Sequence, residues 1–263
     1  MINNDIAYSK EFNFINDLCD EIDKFTLKRF KDRDFSVMTK DDMSPVTEVD
    51  RETETKIRNA IHELFPEDQI EGEEFGTGVE KSSRNWIIDP IDGTKNFLRG
   101  VPVWGTLIAF CVDDVPMAGT ASAPSLHRRW MGLKNGGAYL NGEQIYVSKT
   151  SKLEDIQASY GDVTGFAQAG YSDSLTNINK YIWRARGMGD FWSHMLVAEG
   201  AIDLGLDTKV QPYDVASSKL IVEEAGGQTS SFEGIDSFRE PTFVSTNGQF
   251  HNEIIEIILS GKG

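Results

Sequence analysis

Between residues 86 and 133 the chain passes through four strand-type segments in succession, 86–88, 106–112, 117–122 and 129–133. Helical patterning lies on either side of this block. Phe14, Leu18, Ile22 and Phe25 recur on one face of a first helix expected to end near Arg29. A second is expected from Asp50 through Ile57, Ile61 and Leu64 to a stop at Pro66. Further helices are predicted over 177–181, 191–199, 215–225 and 253–259, with strands over 35–39 and 201–206. Asn135-Gly136-Gly137 and Asn141-Gly142 read as turns between strands. Elements that come in blocks, without strict alternation, argue for an α/β (α+β) fold of layered sheets and helices over a doubly wound parallel sheet.

A chain of 263 residues can bury a sizeable core as one domain or as two closely packed halves. The net charge of −16 and pI near 4.7 repel nucleic-acid backbones and anionic membranes, so neither is an expected partner. The same field repels phosphate esters, and charge alone would not suggest chemistry on them. Cys19 and Cys111 stand far apart with no Cys-x-x-Cys spacing, which favours a reducing cytoplasm. The start, Met1-Ile2-Asn3-Asn4-Asp5, lacks the basic and apolar regions of a signal peptide. The apolar stretch over 103–112 is too short to span a bilayer.

Chemistry concentrates in Trp86-Ile-Ile-Asp-Pro-Ile-Asp-Gly-Thr-Lys-Asn96, where an apolar strand runs into two carboxylates, Asp89 and Asp92. They are expected on a turn stiffened by Pro90. Hard anionic oxygens of this kind suit Mg²⁺, which binds through a few carboxylates together with substrate phosphate. Gly93 would let the backbone approach a ligand, and a helix starting there would aim free N–H groups at an anion. A plain turn, with each Asp bonded to local backbone, is the competing reading. Two more acidic groups bear on the choice. Glu71-Gly72-Glu73-Glu74 is either a solvated loop or a set of carboxylates bridged by a cation. Asp214 stands where a helix N-cap belongs and could still offer an oxygen to a metal.

Taken together, Gly72-Glu73-Glu74, Asp89-Pro90-Ile91-Asp92-Gly93-Thr94, and Asp214 ahead of Glu224-Ala225-Gly226-Gly227 resemble the inositol monophosphatase-like family of Mg²⁺-dependent phosphatases. Lys40, Ser44-Pro45-Val46-Thr47 and Asp50 fit the same pattern, so the resemblance spans nearly the whole chain. It implies alternating αβαβα layers of helices and mixed or antiparallel sheets, and often a homodimer. It implies a seam near Ser148, with the metal motifs in 1–148 and a part 149–263 that completes the site. By the same resemblance Glu73, Asp89 and the carbonyl of Ile91 hold a first Mg²⁺, and Asp89, Asp92 and Asp214 surround a second, for two or three ions per site. Thr94 and Asp50 would orient and deprotonate the attacking water beside Glu73, while Gly93 and Thr94 amides hold the phosphate. Tyr213 departs from the Trp common in the family before the third-motif Asp, which touches the pocket wall and leaves metal binding alone.

Gly100-Val101-Pro102-Val103-Trp104 and Arg186-Gly187-Met188-Gly189-Asp190-Phe191-Trp192 resemble the histidinol-phosphate phosphatase branch of that family. This implies that Arg186 and Asp190 face the leaving group and that Asp207 binds the alcohol part. Two carboxylates would attract a substrate carrying an ammonium and an imidazole beyond what a neutral polyol gains. The plain alternatives are a helix N-cap for Asp190 and loop solvation for Asp207. Inositol phosphate or another polyol, sugar or nucleotide phosphate, and a non-catalytic metal- or phosphate-binding protein, complete the set of functions considered. His62, His127, His194 and His251 lack metal-ligand spacing and are expected on helix faces and surface loops. Met188 and Met195 are expected as core fillers, and Ser217-Ser218 lacks the frame of a nucleophile elbow.

Overall fold

The computed structural model describes residues 7–39, 45–77 and 82–262. Lys40 and Ser44, like the start over 1–5, lie outside the described residues. The chain opens with α1 (Ser9–Asp32), β1 (Val37–Thr39), β2 (Pro45–Thr47), α2 (Glu48–Leu64), β3 (Gln69–Gly72), β4 (Gly76–Thr77), β5 (Arg84–Asp92) and α3 (Thr94–Arg99). Five strands follow: β6 (Gly105–Val112), β7 (Val115–Ala123), β8 (Arg128–Leu133), β9 (Gly137–Leu140) and β10 (Glu143–Ile145). Then come β11 (Gln157–Tyr160), α4 (Val163–Gln168), α5 (Ser172–Ile178), β12 (Arg184–Arg186), α6 (Asp190–Ala198) and β13 (Leu204–Thr208). The chain closes with α7 (Pro212–Glu224), β14 (Gln228–Ser230), β15 (Thr242–Thr246) and α8 (His251–Leu259).

An eight-stranded sheet runs β10-β9-β8-β7-β6-β5-β3-β4, and a five-stranded sheet runs β12-β11-β13-β15-β14. From β5 to β10 the large sheet is an antiparallel meander, while β3 joins β5 in parallel. The β9–β10 turn places Asn141 and Gly142 at φ 50° and 86°, the left-handed pair that a two-residue hairpin needs.

Five layers follow from which faces are apolar. Ile15, Cys19 and Ile22 of α1, with Ile57 and Ile61 of α2, bury themselves against Trp86, Ile88, Ile108 and Phe110 of the large sheet. The opposite face meets α6 and α7, where Leu107 and Trp130 pack on Phe191, Met195 and Ile221. The other side of α7 and α6 rests on the small sheet through contacts such as Val215 with Phe243. Beyond that sheet, Ile178 of α5 and Ile254 and Ile258 of α8 cover Leu204, Leu206 and Val244. The αβαβα layering expected from the sequence is therefore present. With both faces covered, β5 and β6 are buried almost end to end, which is why 86–88 and 107–112 read as apolar runs without alternation.

Several local expectations needed revision. The first helix extends to Asp32, and the helix expected over 177–181 lies earlier, at Ser172–Ile178. Strands β3, β11, β12, β14 and β15 are short and had not been anticipated. Asp89 and Asp92 are on β5 itself and not on a separate turn. Among the described residues no helix is long and apolar enough to cross a membrane.

Candidate active site

Register along β5 decides where its carboxylates point. Side chains alternate across a strand, so residues three apart normally face opposite ways. Asp89 pairs with Leu107 and Asp92 with Gly105, so three steps on β5 oppose two on β6. The extra residue is a β-bulge, and it reverses the alternation. Pro90 suits it because a bulge leaves a backbone position without a ladder bond, and Pro has no N–H to lose. The Pro90 carbonyl accepts a bond from Thr106 Oγ1 at 2.9 Å.

Asp214 reaches the same point from the other side of the cleft. Helix α7 begins at Pro212 with Gln211 as its cap, so Asp214 occupies the third helical position. It accepts from the Gln211 N–H at 2.6 Å in a capping box, instead of being the cap itself. One carboxylate oxygen from each of Asp89, Asp92 and Asp214 lies within 4.8 Å of the others. Asp89 Oδ1 is buried with no hydrogen-bond partner, an expensive state for a carboxylate oxygen that nothing coordinates. Burial first, then repulsion from Glu73, Asp92, Asp214 and Asp50, raises Asp89 well above the usual carboxylate range. Asp92 is raised by burial and by Asp190 and Asp214, against the N–H of Phe191 bonded to its Oδ2 at 2.9 Å. Asp214 is pushed up to about 7 by burial, then by Glu73, Asp207 and Asp190. Clustered, mutually repelling acids of this kind fit a multivalent cation.

Glu73 lines the same cleft, with its N–H bonded to the Ile88 carbonyl at 3.1 Å. Its loop is fastened by Glu54, a fully buried carboxylate of α2 that the sequence reading passed over. Glu54 accepts from the Glu74 N–H at 2.7 Å and the Phe75 N–H at 3.3 Å, and pairs with Arg58 at 2.7 Å. Gly72 faces Glu54 closely enough that a side chain there would displace it.

Asp50 comes in from the start of α2, which begins two residues earlier than expected. Thr47 caps the helix, and its backbone N–H donates to Asp50 Oδ2 at 2.9 Å, with its hydroxyl on the same oxygen. The other oxygen, Oδ1, accepts from Thr94 Oγ1 at 3.2 Å. The Ile91 carbonyl, 3.1 Å from the same hydroxyl, is the alternative acceptor for its one proton. Burial, reinforced by Glu73, raises Asp50 above the ordinary range despite those bonds. Between Asp92 and Thr94, Gly93 stands at φ 82°, where an added Cβ would be 3.0 Å from the Val103 carbonyl and 3.3 Å from Asp190 Oδ2.

The cleft, about 580 Å³, is lined by Glu73, Asp89, Ile91, Asp92, Gly93 and Thr94 and by Asp190 and Asp214 opposite. Asp190 is the first residue of α6, not its cap, and accepts from Asn96 Nδ2 at 3.2 Å. Asp207 lines an adjoining lobe of about 470 Å³ and is pushed up to about 7, by burial above all. Its Oδ1 accepts from the Thr208 N–H at 2.8 Å, so it is no solvated loop residue. Arg186 ends β12 exposed, its guanidinium on the Ala185 carbonyl, and does not line either space. Lys95, Tyr160 and Asp162 line the cleft and were not anticipated; Met188 packs against the core as expected and lines the cleft as well. His194 and His251 lie on helices α6 and α8, within the placement expected, and both are buried. A larger groove between α1 and α2, about 800 Å³, includes no such cluster of ligand oxygens among the described residues.

The sequence profile of the inositol monophosphatase family matches residues 8–259. A histidinol-phosphatase of Mycobacterium tuberculosis is 39% identical over 93% of this chain and 96% of that protein. One from Streptomyces coelicolor is 37% identical over 94% of this chain and 96% of its own length. Among solved structures, an IMPase of Thermotoga maritima superposes with a TM-score of 0.86 at 30% identity, covering 95% of this chain and 97% of that one.

Proposed function

The chain belongs to the inositol monophosphatase family, and on that premise we propose that it hydrolyses L-histidinol phosphate to L-histidinol and phosphate with Mg²⁺, in histidine biosynthesis. It is a phosphoric monoester hydrolase. The observation that carries the reading is the meeting of Asp89, Asp92 and Asp214 within 4.8 Å, in the cleft that also holds the Thr94–Asp50 pair.

The donor set suits the metal. Glu73, Asp89 and the Ile91 carbonyl would hold one Mg²⁺, and Asp89, Asp92 and Asp214 a second, all hard oxygens. When bound, the ions supply Lewis-acid polarisation of the phosphate and acidify the attacking water. The protein's own part is proton handling and orientation. Asp50, held by Thr47 on one oxygen and bonded to Thr94 on the other, takes the proton of the water through the Thr94 hydroxyl. Its raised proton affinity makes it a stronger base than an exposed carboxylate. The Gly93 and Thr94 amides face the phosphate oxygens, and only glycine fits at 93. Asp190 and Asp207 attract the cationic organic part, which a neutral polyol could not exploit as well. Relatives named histidinol-phosphatases that match over nearly their full length support that choice of ester. The seam near Ser148, a homodimer and a cytoplasmic location complete the proposal; Cys19 and Cys111, buried and unbridged, agree with a reducing compartment.

The test is phosphate release from histidinol phosphate, myo-inositol 1-phosphate and p-nitrophenyl phosphate, with and without Mg²⁺. Mg²⁺-dependent turnover with preference for histidinol phosphate is expected. A clear preference for the inositol ester would overturn the substrate, and no turnover of any ester at millimolar Mg²⁺ would overturn the activity.

A further inference from the structure

The lobe that opens beside the metal-type carboxylates has two polar atoms unaccounted for. His194 is only 1% exposed and lines the lobe; its Nδ1 is bonded to Ser245 Oγ at 2.8 Å, while its Nε2 is buried without a partner. Thr208, 7% exposed and also lining the lobe, has a buried Oγ1 without a partner. A side chain on Gly165 of α4 would come within 2.7 Å of that oxygen, so only a glycine fits against it. Buried polar groups are nearly always satisfied, and two orphans in one small lobe mark a place where a ligand supplies the missing bonds. The ring also packs nearly perpendicular to Phe243, with centroids 4.8 Å apart, which favours the orientation that the Ser245 bond sets.

The kind of ligand follows from the donor and acceptor inventory. Asp190 and Asp207 accept only, which suits an ammonium. Thr208 Oγ1 can donate or accept, and His194 Nε2 can do either according to its tautomer. One ambivalent pair of this sort is the complement of a neutral imidazole, which carries one N–H donor and one bare nitrogen acceptor.

We propose that His194 Nε2 and Thr208 Oγ1 are specificity-determining groups that hydrogen-bond the substrate's imidazole, while Asp190 and Asp207 hold its ammonium. This assignment rests on the histidinol-phosphate reading and deepens it. The imidazole is read by two residues that neither hold metal nor handle the proton of the attacking water.

Two conservative variants test it. Thr208→Val keeps the shape and removes only the hydroxyl. His194→Asn keeps an amide where Nδ1 meets Ser245 and removes Nε2. Each is compared with wild type on histidinol phosphate and on 2-aminopropyl phosphate, which has the same ammonium and no imidazole. Wild type should prefer the imidazole ester in kcat/KM, and each variant should narrow that preference roughly tenfold, mainly through KM. A merely structural role would change both esters alike and leave the ratio where it was, which overturns the proposal. If wild type instead favours myo-inositol 1-phosphate over histidinol phosphate, the substrate reading fails and this assignment fails with it. Circular dichroism melting of each variant identifies loss of fold, and Thr208→Val alone then decides.

Discussion

Asp89 and Asp92 stand three residues apart on one strand, yet their oxygens meet, because β5 carries a residue more than β6 between them. The bulge is held partly by the Thr106 hydroxyl on the Pro90 carbonyl at 2.9 Å. Thr106→Val leaves that buried carbonyl short of a donor, at a cost of ~1–2 kcal/mol. The variant should also need more Mg²⁺ for half-maximal activity, because the bulge sets the separation of the two carboxylates. Loss of stability with an unchanged Mg²⁺ requirement would show that the bulge is held by other contacts.

Removing a charge from the cluster should separate stability from function. Asp92→Asn keeps an acceptor for the Phe191 N–H but withdraws one of several repelling carboxylates. Turnover should fall to about a hundredth to a thousandth of wild type, in the range of a lost electrostatic group. The metal-free protein should melt higher than metal-free wild type, since a buried charge has gone. Wild-type rates, or a lower melting point in EDTA, would contradict the assignment.

The same charges link metal to pH. Asp207 and Asp214, each pushed up to about 7, have folded-state proton affinities above the ordinary 3.8. Between those values the metal-free fold keeps protons that the unfolded chain has released, so its stability is complete below about pH 4 and is lost as pH rises through 7. The slope is about 1.4 kcal/mol per pH unit for each such group. Asp50, Asp89, Asp92 and Asp190 are raised in the same sense, against His194 and His251, which burial lowers to about 3 and about 4. The Mg²⁺-induced rise in melting temperature should therefore be larger at pH 8 than at pH 5.5. An equal or larger rise at pH 5.5 would mean the carboxylates do not bind the metal.

The acidic cluster was legible because its residue types are chemically specific: Asp89, Asp92, Glu73 and Asp214 stand out in the sequence as candidate metal ligands. Their geometry was less so. Asp-Pro-Ile-Asp-Gly has local turn chemistry, and only pairing with β6, a tertiary matter, makes it a bulged strand. Pro212 at the first turn of α7 moved the helix start back, so Asp214 sits inside the helix and not at its cap. The long helices α1 and α2 carried enough turns for periodicity to register, whereas the short strands β12 and β15 did not. His194 and Thr208 had no local signal at all, because their meaning depends on what lies across the lobe.

Glu54 provides a test of support from a distance. It binds the Glu74 and Phe75 amides and thereby sets the loop that presents Glu73. Glu54→Gln keeps one acceptor oxygen and loses the charge that pairs with Arg58. The Mg²⁺ concentration for half-maximal activity should rise by about tenfold, as for other residues that orient ligands, while kcat at saturating Mg²⁺ changes less. An unaltered Mg²⁺ titration would remove Glu54 from the support of the site.

The most direct measurement is an anomalous difference map from a crystal soaked in Mn²⁺, a close stand-in for Mg²⁺ among hard oxygen ligands. The strongest peak should lie among the carboxylate oxygens of Asp89, Asp92 and Asp214, with another beside Glu73. A map at saturating Mn²⁺ with no density there, or with ions bound only elsewhere, would contradict the account.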